Sequence, residues 1–423
     1  MTTRVLGSVQ VAVLLISASY GIGFLFGSGE MALSLGMAGG TYGVATAVGM
    51  LVLAVFAKRL WRSGVPVWDL FGNAYGPRLQ AAVAMLSMVW MAGVLAAQIH
   101  GGAAVIGLLG LHSPWHYAMV CVLIYAASRL DLRLASTVFA VCLLASALVL
   151  AYALLISDGL GVYAAALPLF AHDLSMLEPA RVVSMMLAVG VLVCLGADYH
   201  QFVFAARQPS AAVWGCVLAG LGLLLIAFLP PAVVIAMQRA GELDAVGDAK
   251  QVVPFVLARV AATVGPGADK LMLAALVAAA LGSGAAIVRA MTSALASVAP
   301  QRAMRPHASL SLVAIAIGAA LAARGQGIIE TMVSVNVIYI ASVAVVFAAL
   351  MVNIALSPRC AGLIMSAGFV GSFAAYVAGW AGLIGDQADL VSLLAGLGAS
   401  AAVAATYAVT SGTRFRNVGA TNR

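Results

Sequence analysis

Ser17-Ala-Ser-Tyr-Gly-Ile-Gly-Phe-Leu-Phe-Gly-Ser-Gly-Glu30 is the stretch on which the fold turns. Gly21, Gly23, Gly27 and Gly29 crowd into nine residues of an apolar run spanning 8–35. Each glycine costs a helix up to about 1 kcal/mol relative to alanine, so four together need a reason. Two reasons are open. Gly23-x-x-x-Gly27 is a small-residue face for close helix packing. Alternatively, the helix breaks here and frees backbone carbonyls and amides inside an apolar layer, which is tolerated only where they line a cavity. No strand precedes the cluster, so it is not a dinucleotide fingerprint.

Outward from this stretch, the composition identifies the apolar layer as a lipid bilayer. Of the 423 residues, 64% are hydrophobic and 8% charged, whereas soluble domains carry about 25% charged residues. So few charges cannot cover a water-facing surface, which excludes a soluble enzyme, a nucleic-acid-binding protein and a disordered chain. Further apolar runs fall near 41–57, 79–110, 115–128, 134–157, 182–206, 211–238, 269–299, 306–323, 327–352, 361–383 and 388–410. A spanning helix needs about 20 apolar residues. The expectation is a single all-α integral membrane domain over 1–423 with about twelve transmembrane helices.

The net charge of +7 is topological. With a cytoplasmic N-terminus, 14 of the 21 Lys and Arg fall in cytoplasmic segments and 6 outside, with Arg289 left in a span. That bias predicts a multi-pass protein of the cytoplasmic (inner or plasma) membrane with both termini cytoplasmic. Two loops exceed a simple turn. Residues 58–78 contain Val65-Pro-Val-Trp-Asp-Leu-Phe71, a short interfacial helix, and 239–268 contain Val252-Val-Pro-Phe-Val-Leu257, an interfacial helix or lid. The five cysteines show no CxxC spacing, so neither a disulfide framework nor a zinc site is indicated.

The Gly-rich stretch, continued through Met31-Ala-Leu-Ser-Leu-Gly-Met-Ala-Gly-Gly40, resembles the first core helix and turn of the sodium:solute symporter family. Four later segments are similar to that family in the same order. They are the basic loop Lys58–Gly72, Ala96-Ala97-Gln98, Gly196-Ala-Asp198-Tyr-His-Gln201, and Ala278-Ala-Ala-Leu-Gly-Ser283. The likeness covers roughly 10–300. It implies the leucine-transporter fold of the amino acid-polyamine-organocation superfamily. Helices 1–5 and 6–10 would form inverted repeats over about 8–157 and 182–352, with helices 1 and 6 broken at a central site and helices within 361–410 peripheral.

The resemblance also implies ligands for Na+ as coupling ion, and no other cofactor. These are the carbonyls of Ser17, Tyr20 and Ala279 and the hydroxyl of Ser283; Gly282 stands where the family has a second hydroxyl. Ala279, Gly282 and Ser283 share one helical face. Substrate positions would be Gly21, Gly23, Phe24, Gly27, Gln98 and Cys194. His100, two residues from Gln98, lies on another face, so at most one of them faces the site.

Three charges in apolar runs are further candidates, since intramembrane charges are functional by default. Arg289 shares a stripe with Gly282 and reads either as a cation replacing sodium or as a side chain snorkelling to the interface. Asp198 reads as a hydrogen-bonding partner near the inner gate or as a proton carrier. Glu30 reads as facing an outer vestibule or a cationic substrate. The expected function is secondary active transport of a small polar organic solute by alternating access, Na+-coupled by implication. Proton-coupled or uncoupled permeation, and a non-transporting sensor or regulatory subunit, are the alternatives. No DDxxD or HExxH occurs, so no enzyme is expected. The partners are the solute and the bilayer, with no nucleic acid, and the oligomeric state is open.

Overall fold

The computed structural model describes residues 4–20, 22–110, 115–243, 246, 251–298, 307–323, 328–385 and 387–410. Every apolar run forms helix. The first forms two helices, α1 (Ser8–Ser19) and α2 (Ile22–Leu35), with Tyr20 between them at ψ 36. A 3-10 turn, Gly36–Gly40, then folds the chain back into α3 (Thr41–Ser63). Two glycines make this turn. Gly36 has φ +58, a left-handed conformation that favours glycine. A Cβ on Gly39 would lie 2.6 Å from the Ser28 carbonyl oxygen.

The basic loop contains α4 (Val67–Tyr75), which buries Val67, Trp68, Phe71 and Tyr75 on one face. Its Asp69 accepts a 2.7 Å hydrogen bond from Gln80 Nε2. Burial pushes the Asp69 carboxyl above its usual range, and that hydrogen bond opposes the shift. The chain continues through α5 (Pro77–Leu108), α6 (Trp115–Ser128) and α7 (Leu132–Ile156). Two short helices follow, α8 (Leu160–Ala164) and α9 (Ala166–Ser175).

The second break separates α10 (Pro179–Leu195) from α11 (Ala197–Phe204). The two are bent by 42° at Gly196, whose backbone is extended at ψ 113. Next come α12 (Pro209–Ala227) and α13 (Leu229–Arg239). Pro230 and Pro231 sit in the first turn of α13, where proline is tolerated. The last elements are α14 (Val252–Ala262), α15 (Ala268–Val298), α16 (His307–Ala322), α17 (Ile328–Met351), α18 (Pro358–Trp380) and α19 (Ala388–Thr410). The expected lid stretch 252–257 is the start of α14. It packs so closely on α2 that a Cβ on Gly29 would overlap the Val253 side chain.

Among the described residues, six helices are long and apolar enough to cross a membrane, or seven if the bent pair α10–α11 is one crossing. The remaining apolar runs form α7 and α17, of 25 and 24 residues, and the shorter α1, α6 and α16. The sequence expectation of about twelve crossings counts these shorter helices as spans too. Burial divides centre from edge. The apolar windows of α5 and α15 are 72% and 69% buried, against 33% and 22% for α18 and α19. The last two helices are thus peripheral and are joined by a small-residue seam. A Cβ on Gly396 would lie 2.7 Å from the Gly368 carbonyl, and Ser400 Oγ reaches the carbonyls of Ala341 and Ile364 at 2.9 and 3.0 Å. Small residues let helix backbones approach this closely.

Each end of the bundle is tied separately. At the basic end, the segment before α1 pairs with the segment after α11. Val5 and Leu6 N–H donate to the Ala205 carbonyl at 2.9 Å, and Arg207 N–H donates to the Leu6 carbonyl at 2.9 Å. Trp61 Nε1 donates to the Ala206 carbonyl at 2.8 Å, and the Arg4 guanidinium lies 3.8 Å from the Trp61 ring centroid. At the opposite end, Asp173 Oδ2 on α9 accepts from Met37 N–H at 2.7 Å. There Arg259 pairs with Glu242 at 3.0 Å, and Gln387 donates to Glu178.

Candidate functional site

The two breaks meet at one cavity. Its wall comprises Ala18 and Ser19 of α1, Phe24 of α2, Tyr42 of α3, and Trp90, Val94 and Gln98 of α5. Leu192 of α10, Asp198 and Tyr199 of α11, and Ser283 of α15 complete it. At about 20 Å³ it has room for about one water molecule. A larger groove of about 460 Å³ runs between α5 and α18, lined by side chains such as Leu79, Met85 and Phe369. It offers almost nothing polar, and binding sites need a few convergent polar groups.

The breaks place the polar groups. A helix end leaves carbonyls without intrahelical partners, and those at the end of α10 find two. His200 Nε2 lies 2.8 Å from the Cys194 carbonyl, and Tyr339 Oη donates to the Leu195 carbonyl at 3.3 Å. Asp198, 3% exposed, folds back over the first turn of α11. There its carboxylate lies beside the backbone N–H groups of Asp198 itself and Tyr199. Its Oδ1 has no hydrogen-bond partner among the described residues. Gly196 is required beside it, since a Cβ there would lie 2.6 Å from Asp198 Oδ1. Gln201 Nε2 bridges the Asp198 and Ala286 carbonyls at 2.7 and 3.0 Å, which fastens α11 to α15.

No protein-family model matches this sequence, and no curated protein does. Solved structures do. A Na+-coupled sialic acid symporter in a substrate-bound outward-open state superposes with a TM-score of 0.73 at 13% identity, over 96% of this chain and 91% of that one. Mhp1, a nucleobase-cation-symport-1 family transporter, in a closed conformation with bromovinylhydantoin bound, gives 0.60 at 13% identity over 97% and 95%. The Eremococcus coleocola manganese transporter gives 0.56 at 14% identity over 96% and 94%.

The chain has the leucine-transporter fold. At these identities the likeness establishes the fold alone.

Within this fold, the proposed sodium residues lie where α1 meets α15. Ser17 lies in the last turn of α1 and Tyr20 caps it. Ser283 is 3% exposed and lines the cavity. Ala279 lies in α15 one turn before Ser283. Gly282 faces α1 so closely that a Cβ would overlap Ser17 Oγ. The position that lacks the second hydroxyl is therefore one where α1 leaves no room for a side chain. The carbonyl oxygens and one hydroxyl suit a hard monovalent cation.

Among the expected substrate positions, Phe24 and Gln98 line the cavity. Gly23 and Gly27 lie in α2 beyond it, and Gly21 falls outside the described residues. Cys194 does not line the cavity: its thiol turns to the Gly49 carbonyl of α3 at 3.6 Å. It faces a crossing so tight that a Cβ on Gly49 would lie 2.8 Å from the Gly190 carbonyl. His100 turns from the cavity to Tyr117 Oη at 3.1 Å, as the two-residue offset from Gln98 requires. Glu30 is half-buried on α2, away from the cavity wall. Arg289 is also outside it. One Nη donates to the carbonyls of Ser128 and Leu130 at 3.3 and 3.2 Å, so the guanidinium staples α15 to the end of α6.

Sequence reasoning missed the aromatic walls. Tyr42, Trp90 and Tyr199 all line the cavity. Tyr199 adjoins Asp198 in the motif, and Tyr42 follows the Gly turn, so position offered a signal for both. Trp90 sits among apolar residues of α5 and carried none.

Proposed function

We propose that this chain is a secondary active transporter that moves a small polar organic solute across the cytoplasmic membrane by alternating access. The observation that carries the reading is the closed cavity where two broken helices meet. At about 20 Å³ it admits about one water molecule, so an organic solute enters only when one side opens. The separate ties at the two ends support such motion, because one set of bonds can release while the other stays. In this reading residues 1–423 form one transport domain, with repeats over about 8–157 and 182–352 and α18–α19 at its edge. The basic end is cytoplasmic, in keeping with the distribution of Lys and Arg.

Substrate sits against Phe24 and Gln98, with the backbone at Gly23 and Gly27 lining its path. Na+ sits between the α1 carbonyls of Ser17 and Tyr20 and the α15 groups of Ala279 and Ser283. The sialic acid symporter of the same fold is Na+-coupled, which supports this coupling. The test is uptake of a solute panel by proteoliposomes with and without a Na+ gradient. Accumulation that depends on the gradient and falls sharply in Ser283→Ala is expected. A protein that accumulates no solute under a Na+ or a proton gradient would overturn the reading.

A further inference from the structure

Asp198 contributes the one charged side chain on the cavity wall among the described residues. Its Oδ1 has no hydrogen-bond partner there although the residue is 3% exposed. A buried carboxylate oxygen without a partner is costly unless something positive or hydrogen-donating meets it. The N-terminal turn of α11, in which Asp198 lies, offsets part of the charge. Among the described residues no guanidinium or ammonium lines the cavity, and Arg289 is committed to the end of α6. The ends of α1 and α10, where helix dipoles are negative, approach the same space.

The rest of the wall selects among positive ligands. Phe24, Tyr42, Trp90 and Tyr199 contribute aromatic rings, whose faces attract cations and whose area suits carbon. A bare divalent metal needs several hard oxygens or a cluster of ligating side chains. No group of three or more His, Cys, Asp or Glu gathers among the described residues. An anionic solute would meet Asp198 with like charge.

We infer that the transported solute carries a positively charged amine, and that Asp198 Oδ1, within a box formed by Phe24, Tyr42, Trp90 and Tyr199, is its counter-ion. The inference rests on the transporter reading and specifies its substrate as an organic cation.

The test uses full-length protein, purified in detergent, with thermal unfolding as the readout. The probes are tetramethylammonium and n-butylammonium, the near-isosteric tert-butanol and butyrate, and sodium chloride alone. The two ammonium ions are expected to raise Tm in a dose-dependent way, and tert-butanol and butyrate are not. Asp198→Asn should weaken the apparent affinity for both cations by at least about tenfold. If that variant does not fold, Trp90→Phe serves instead and should weaken tetramethylammonium several-fold, since Trp is the best cation–π partner. Equal shifts with tert-butanol or butyrate would overturn the inference. So would cation shifts unchanged in both variants, or no shift with either ammonium ion. If sodium alone accounts for the whole Asp198-dependent shift, the carboxylate holds an inorganic ion and the inference fails. Ammonium binding without uptake by proteoliposomes would fail the transporter reading and leave amine recognition standing. Uptake of a neutral solute with no ammonium binding would do the reverse.

Discussion

At Gly282 one missing side chain has two accounts. By resemblance it is a lost sodium ligand, and restoring a hydroxyl would tighten the site. In the fold it is a place of contact, where a Cβ would overlap Ser17 Oγ. Gly282→Ser is therefore expected to turn the Ser17 hydroxyl aside or push α1 from α15, and not to add a sodium ligand. Overpacking of this kind costs about 1–3 kcal/mol, so Tm should fall. Adding Ser17→Ala should recover most of the loss, because the two side chains compete for one space. A double variant as unstable as the sum of the singles would show that they do not. Arg289 has the same lesson. Its charge drew attention in an apolar run, but its hydrogen bonds to Ser128 and Leu130 give it a fastening role.

Among the elements, the 3-10 turn Gly36–Gly40 deserves a test because it joins α2 of the cavity wall to α3. Its Met37 N–H is held by Asp173 of α9, a residue 136 positions away in the chain. Asp173→Ala removes a charged acceptor from a turn N-terminus, the equivalent of losing a helix cap, at a cost of about 1 kcal/mol. Amide hydrogen exchange should accelerate over Met37–Thr41 in this variant. It should leave the seam between α18 and α19 unchanged. Unaltered exchange at Met37 would mean that the carboxylate does not fasten the turn. The resemblance located the turn, and it located both helix breaks. It said nothing of Asp173, since no local pattern links a loop carboxylate to an amide so far along the chain.

For the whole molecule, alternating access requires the two ends to open in turn. The basic end is shut by the pairing of residues 5–6 with 205–207. Leu6 and Ala206 form an isolated parallel bridge and are both buried. Cysteines at these two positions, Leu6→Cys with Ala206→Cys, are expected to form a disulfide that locks this end. Transport should stop on oxidation and return with reductant. Full transport by the oxidised pair would show that the basic end need not open.

The sequence by itself determined the membrane character of the chain and the places of its helices; it left a break at the Gly-rich stretch open, and the resemblance placed both breaks. These depend on local quantities: the hydropathy of a run, and the backbone freedom of Gly21, Gly23 and Gly196. Hydropathy also located α18 and α19, although only packing made them peripheral. Tertiary structure alone decided which side chains meet. Gln98 faces the cavity and His100 does not, Cys194 turns to Gly49, Arg289 reaches α6, and Trp90 joins Asp198 at one wall. The physical reason is that central helices such as α5 are apolar on nearly every side. An amphipathic helix announces its buried face by its period. A helix surrounded by protein and lipid has no such stripe, so its rotation is set by close contacts with its neighbours. The small-residue crossings at Gly49 and Gly282 hold those rotations, and with them the groups that line the cavity.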